Sequence, residues 1–416
     1  MVPHRFFFYL AVLSLPVQLG FHFWPAWAQV LGRRIDYLSP TLYLTDILVW
    51  LTLVSWIFSS IRGFNMYDLR CKNKKIFFLG LLISFNVYFA VNQQIAIYAW
   101  LKALEFVLFC WYIARTKPNL SRVTQLLSFG VLYSSLIATA QFLLQHSIGG
   151  PLWFLGERTF DVNTPGIATI QSCQLSAVSC QQLLRAYATF PHPNVLGGFL
   201  AVTLPIIALR GWEERKLGRK FFVTSFVAGF IALVLTFSRS AWAVFGLAIL
   251  GMFIFGRMKK VASQNVSPRF IVGVFGLILF IGTWAIWLIR DTSESVVVRQ
   301  ELASSAVILW QQAPLVGVGL GNFLIALPHA LVSRSIYFLQ PVHNIYLLIL
   351  AETGIIGLGL FLWFIWFIMT KIKKIFSIWH LSFIILLTLG LIDHYPLTIQ
   401  QGQLLLSLLV GLVFSL

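Results

Sequence analysis

The sequence predicts an all-α, polytopic integral membrane protein of about twelve transmembrane helices with two long external loops. Three observations predict it. Hydrophobic residues make up 59% of the 416 positions and charged ones only 10%, far below the roughly 25% charged content of a soluble chain. Apolar runs of about 20 residues, the length that spans a bilayer, recur from end to end. Lysine and arginine, finally, gather in alternate loops between those runs, as they do when positive loops stay in the cytoplasm.

Taken in order, the expected spans cover residues 6–30, 41–61, 76–91, 95–114, 123–145, 193–209, 221–236, 240–256, 269–289, 342–369, 379–392 and 401–416. Pro16 and Pro205 fall within spans, which leaves eleven to thirteen spans open, and the first is expected to be kinked or broken. The first run follows Arg5 like a signal peptide, but no small-x-small cleavage site closes it, so it reads as a span. No stretch is long and polar enough for a separate soluble domain. The single membrane domain therefore divides into N-terminal helices (1–145), an external loop (146–192), helices joined by a Ser-Arg turn (193–289), a large external loop (290–341) and C-terminal helices (342–416). Within that second loop, residues 295–312 carry Val298, Leu302, Ala306 and Leu309 at helical spacing, an amphipathic helix ending at Pro314.

The net charge of +17 does not indicate a nucleic-acid partner, because the basic residues orient the spans and trace no groove. With the N-terminus inside, every lysine except Lys102 falls in a cytoplasmic loop, and both termini are expected there. Outside lie Arg33, Arg34, Arg158, Arg185, Arg239, Arg290, Arg299 and Arg334, with no lysine. Four cysteines are too few for a disulfide scaffold, although Cys173 and Cys180 share one external loop where a local disulfide is open.

That arginine-only external set points to chemistry. A guanidinium stays charged and offers a planar fork of donors matched to phosphate oxygens, whereas an ammonium is a point charge. Arg239 sits in a tight Ser-Arg-Ser turn between apolar runs, where an idle charge costs about 2–3 kcal/mol. Arg299 and Arg185 join it as candidate phosphate ligands. His343 opens a long apolar helix with Leu347, Leu350, Gly354 and Gly357 on the same face, where glycines admit a close neighbouring helix. With a pKa near neutrality it is the natural acceptor for a hydroxyl proton. His192, Asn194, Asn344 and His394 are candidates to line the same cavity. No external carboxylates have metal-binding spacing, so no metal and no cofactor is expected. The Gly317-Val318-Gly319-Leu320-Gly321 run follows no strand and is no nucleotide loop. Glu352 lies deeper in the histidine helix and reads as a hydrogen-bonding partner of a neighbouring span; Lys102 and Glu105 read as satisfying each other.

The order of Thr189-Phe190-Pro191-His192-Pro193-Asn194, Ser238-Arg239-Ser240, Arg299 before Pro314-Leu315-Val316-Gly317-Val318-Gly319, and His343-Asn344 before Glu352-Thr353-Gly354 and Gly357 resembles the O-antigen ligase and polymerase superfamily, over roughly residues 190–365. The resemblance implies a bacterial inner-membrane glycosyltransferase with its active site on the periplasmic face. It implies transfer of a glycan from undecaprenyl pyrophosphate without nucleotide sugar or metal, His343 as base, and Arg239 and Arg299 on the pyrophosphate. Arg185 and Asn194 match less firmly placed family positions, and the Cys173/Cys180 segment departs from the family's pattern, which leaves the shape of that external loop open. The acceptor stays open: a lipid for a ligase, a growing glycan for a polymerase, a protein for an O-oligosaccharyltransferase. A lipid-linked sugar transporter or flippase is the non-enzyme alternative, but it needs polar residues on both leaflets and here they gather on one.

Overall fold

The computed structural model describes residues 2–61, 73–173, 180–214, 216–261, 294–331, 339–371 and 377–416. Among the described residues it is mostly helical, with three two-stranded antiparallel sheets, two within residues 20–43 that take in parts of the first two expected spans and one within the external loop at residues 169–184. Those sheets depart from a purely all-α fold, and their cause is general: backbone amides in a connecting segment need partners, and short hairpins supply them.

Helix α1 (Pro3–Leu13) is shorter than the expected first span of residues 6–30. It stops before Pro16, whose ring and missing N–H are incompatible with a continuing helix. The chain then forms β1 (Gly20–His22), β2 (Gln29–Val30), β3 (Arg33–Arg34) and β4 (Thr41–Tyr43), with β1 pairing β4 and β2 pairing β3. Helices α2 (Leu44–Ile61), α3 (Asn73–Tyr88), α4 (Gln93–Thr116) and α5 (Leu120–Leu144) follow close to the expected spans. Side chains set their starts: Asn92 accepts from the Gln94 and Ile95 amides and Asn119 from the Arg122 amide, satisfying donors that the first helical turn leaves open.

Strands β5 (Thr169–Cys173) and β6 (Cys180–Leu184) form a hairpin whose register sets Cys173 opposite Cys180. Then come α6 (Pro193–Glu213), α7 (Lys216–Leu235), α8 (Arg239–Val261), α9 (Glu294–Gln312), α10 (Phe323–Ala326), α11 (Ile345–Lys371), α12 (Ile378–Leu389), α13 (Tyr395–Thr398) and α14 (Gln400–Ser415). The expected span 269–289 lies outside the described residues. Among the described residues, five helices (Gln93–Thr116, Leu120–Leu144, Pro193–Glu213, Gly218–Leu235 and Ile345–Thr370) are long and apolar enough to cross a membrane, and five apolar ones are shorter. Of the five long ones, α6 is the most enclosed, packed by α5, α7, α8 and α12.

Helix α11 is not continuous. Gly354 breaks it with φ 66° and ψ −170°, a left-handed conformation that glycine adopts at no steric cost. The Gly-rich run fits into that break: Val318 N donates to Ala351 O at 2.9 Å, Gly319 N to Glu352 O at 3.0 Å, and Ile355 N to Pro314 O at 2.9 Å. A Cβ on Gly354 would lie 2.2 Å from the Leu315 carbonyl. The close approach expected from the glycine face is therefore made by an extended loop and not by another helix. His343 precedes the first helical turn, and the break at Gly354 ends the common register, so the expected five-residue face does not form.

Polar residues secure this joint. Asn86 on α3 donates to the carbonyls of Val316 at 2.8 Å and Glu352 at 2.9 Å. The Glu352 carboxylate accepts from Phe323 N at 3.2 Å, so its partner is the loop helix α10. Lys102 pairs with Glu105 at 3.3 Å as expected, but more closely with Asp46 of α2, at 2.6 Å.

Candidate active site

The ends of α6, α11 and α12 converge on one polar cluster. His192 is the N-cap of α6, its Nδ1 accepting from Asn194 N at 3.1 Å, with Pro193 in the first helical position, where a missing N–H costs nothing. This cap points Asn194 back across the helix mouth. Its Oδ1 accepts from Arg185 Nη2 at 2.8 Å, while its Nδ2 lies 3.5 Å from Asp393 Oδ2. Arg185 also donates Nε to the Thr236 carbonyl at 2.7 Å, which ties it to the turn that leads into Arg239.

His343 and Asn344 open α11. The Asn344 Oδ1 accepts from Tyr346 N and Leu347 N at 2.9 and 3.0 Å, and its Nδ2 donates to Leu391 O at 3.1 Å. Its side chain is thus occupied in capping α11 and fastening it to the end of α12. Ile345 N donates to Gly390 O at 2.7 Å beside it, and this double tie brings His343 against the Asp393-His394 pair. Ring nitrogens of His343 and His394 and a carboxylate oxygen of Asp393 lie within 4.8 Å of one another. The two imidazoles stand 5.1 Å apart at 71°. Asp393 Oδ1 accepts from His394 N at 2.8 Å, and His394 Nδ1 contacts Thr398 Oγ1 at 2.6 Å. Among the described residues, His343 Nδ1 is buried without a hydrogen-bond partner.

Burial governs the protonation of this cluster, with charge as the second influence. Desolvation lowers the His343 pKa below the usual imidazole range; Asp393 opposes that shift and Arg299 adds to it. Burial brings His192 to about 4, assisted by Arg185, and His394 to about 3 against the pull of Asp393. For Asp393, burial pushes upward, but His394, His343 and Arg299 outweigh it and hold the carboxyl below its ordinary value. Burial also lowers Arg185, to about 10, and it stays charged at neutral pH. At pH 7 the cluster thus holds neutral imidazoles, one carboxylate and guanidinium groups, an arrangement suited to accepting one proton and steadying the resulting cation.

The expected residues are not all equally close. Arg299, on α9, exerts its charge on His192, His343, Asp393 and His394. Arg239 opens α8 with its side chain exposed, linked to the cluster through Thr236 and Arg185. Asp393 enters the site more centrally than its place in a polar turn suggests. Tyr37, in the loop between β3 and β4, has no signal in the sequence, yet its ring packs edge-on against His394 at 5.4 Å.

Next to this cluster lies a cavity of about 1300 Å³ between α4, α11, α12 and α14. Tyr37, Arg158 and Thr398 line one end and Phe361, Phe364 and Phe414 the other. His343, Asp393 and the arginines 185, 239 and 299 do not line it. Tyr37 and Thr398, which both touch His394, separate the polar cluster from the long, largely apolar space.

Apolar helices long enough to cross a membrane, with a half-buried histidine-carboxylate-arginine cluster at their ends, are the features of a multi-pass membrane protein. Residues 224–362, which carry Arg239, Arg299 and His343, match the family model described as O-antigen ligase, and the match supports the resemblance to the O-antigen ligase superfamily. The match implies a glycosyltransferase-like enzyme of surface-polysaccharide synthesis, with a lipid-linked glycan and an acceptor as partners in general terms. No curated protein matches the chain.

Proposed function

We propose that this protein transfers a glycan from undecaprenyl pyrophosphate to an acceptor hydroxyl at the periplasmic face of the bacterial inner membrane, with inversion and without a metal. The observation that carries the reading is the half-buried His343, whose Nδ1 is buried and unpartnered among the described residues, beside Asp393 and within the field of Arg299. A neutral imidazole with a free ring nitrogen can take the acceptor proton, and the nearby carboxylate stabilises the imidazolium as it forms.

In the proposed step the acceptor oxygen attacks the anomeric carbon while His343 takes its proton. The bond from that carbon to the pyrophosphate oxygen breaks on the opposite face, and the pyrophosphate leaves with the electron pair. Arg299 and Arg185 hold the charge that develops there as fixed donors, and Arg239 adds its charge from the exposed start of α8. Asn194 orients Arg185 and reaches Asp393, linking the leaving-group side to the base side. The apolar cavity beyond Tyr37 suits the hydrocarbon part of a lipid-linked substrate. The same site serves a ligase, a polymerase or a protein O-oligosaccharyltransferase, which differ in the acceptor.

The test is transfer by the purified full chain from an undecaprenyl-pyrophosphate oligosaccharide to lipid, glycan and peptide acceptors, with products weighed by mass spectrometry. Transfer that is lost in His343→Ala but survives EDTA is the expected result. Normal transfer by His343→Ala, or full loss of activity on EDTA treatment, overturns the reading.

A further inference from the structure

We propose that His343, Asp393 and His394 form a binding site for a borderline divalent transition ion, by chemistry Zn²⁺, and that the bound ion arrests transfer by occupying the base. The arrest rests on the reading of His343 as base; the site itself rests on geometry alone. Two imidazoles and a carboxylate with their ligand atoms within 4.8 Å of one another make a three-ligand set that leaves a fourth position to water or a substrate hydroxyl.

Details of the cluster favour this use. Thr398 Oγ1 lies 2.6 Å from His394 Nδ1 and 3.1 Å from the His394 carbonyl that it donates to. In the tautomer with the proton on Nδ1, this contact is the outer hydrogen bond that metal-binding histidines characteristically make, and Nε2 is left with the lone pair. His343 Nδ1 is buried and unpartnered among the described residues, and a coordinate bond would satisfy it. Asp393 is braced by His394 N and approached by Asn194 Nδ2, which orients the carboxylate without using all its lone pairs.

Arg299 selects among ions. Its positive charge reaches all three ligands, so an ion held by charge alone, such as Mg²⁺ or Ca²⁺ with their preference for all-oxygen shells, gains little. An ion that bonds imidazole lone pairs tolerates that field better. Coordination of His343 removes the lone pair that accepts the acceptor proton, and arrest follows.

The experiment uses the full-length chain in detergent, without a polyhistidine tag, stripped with chelator and titrated with ZnCl₂ in a calorimeter. About one ion per chain is expected, with affinity reduced about tenfold or more in His394→Gln and in Asp393→Asn, and with no comparable binding of MgCl₂. Zinc-edge X-ray absorption of the unmodified chain reads the ligands directly, and imidazole scattering from two histidines is expected whether or not the variants fold. Absence of that scattering, or equal affinity in both variants, overturns the site. In the transfer assay, Zn²⁺ is expected to slow the unmodified chain over the concentration range of its binding, with EDTA restoring the rate. Binding without inhibition overturns the arrest, whereas normal transfer by His343→Ala removes the base and leaves the metal site standing.

Discussion

Asn194 and Asp393, 199 positions apart, face each other across the site with Nδ2 3.5 Å from Oδ2. Because the same amide accepts from Arg185, a single side chain links the guanidinium expected to meet the leaving group with the carboxylate beside His343. Replacing it by Asp removes the Nδ2 donor and sets a second carboxylate against Asp393. Asn194→Asp is accordingly expected to lower the transfer rate by about tenfold or more, since like charges at short range disfavour joint ionisation. Steady-state rates of the two proteins check this, and an unchanged rate would separate Asn194 from the mechanism.

Asp393→Asn keeps the shape of the turn but withdraws the carboxylate that supports a protonated His343. Its kcat is expected to fall by about 10²-fold or more, with the substrate KM changing much less. A loss confined to KM would assign Asp393 to binding.

Acid dependence follows from His343. A base must be unprotonated, and burial lowers this imidazole below its ordinary value. The rate is therefore expected to hold as pH falls through about 6.5 and to drop only below it. Asp393 raises the His343 pKa, so Asp393→Asn moves the acid limb to still lower pH. A pH–rate profile of both chains reads the two effects, and an acid limb above 6.5 in the unmodified protein contradicts the burial of the base.

His394 makes stability itself pH-dependent. Burial lowers it to about 3 in the folded chain, whereas an unfolded histidine titrates near 6.5. The unfolded state binds the proton first, so the contribution of neutral His394 is complete above about 6.5 and declines as pH falls toward about 3. His394→Gln is expected to flatten this part of the thermal-stability profile, measured by tryptophan fluorescence in detergent.

Gly354→Ala tests the joint between the Gly-rich loop and α11. Positive φ strains an L-residue, and the added Cβ would lie 2.2 Å from Leu315 O, so a stability loss above about 1 kcal/mol is expected. Gly359→Ala, where a Cβ meets nothing within 4 Å, is the matched control on the same helix. Equal unfolding temperatures for the two would mean that the loop does not depend on the break.

The apolar runs, the one-sided arginines and the His-Asn sequence before a long helix were legible because hydrophobic transfer, membrane charge bias and helical propensity act locally. By themselves they determined a helical membrane protein, the approximate place of most helices, and His343 and Arg299 as members of one candidate site. Only the tertiary structure decided that Gly354 breaks α11 to seat residues 314–319, and that Asn344 serves as a cap. It alone brought Asp393 and His394 to His343, Asn194 between Arg185 and Asp393, and Tyr37 onto His394. These contacts join segments far apart in sequence, and no local periodicity encodes them. They depend on where buried polar groups find partners once the helices pack, and that is a property of the whole fold.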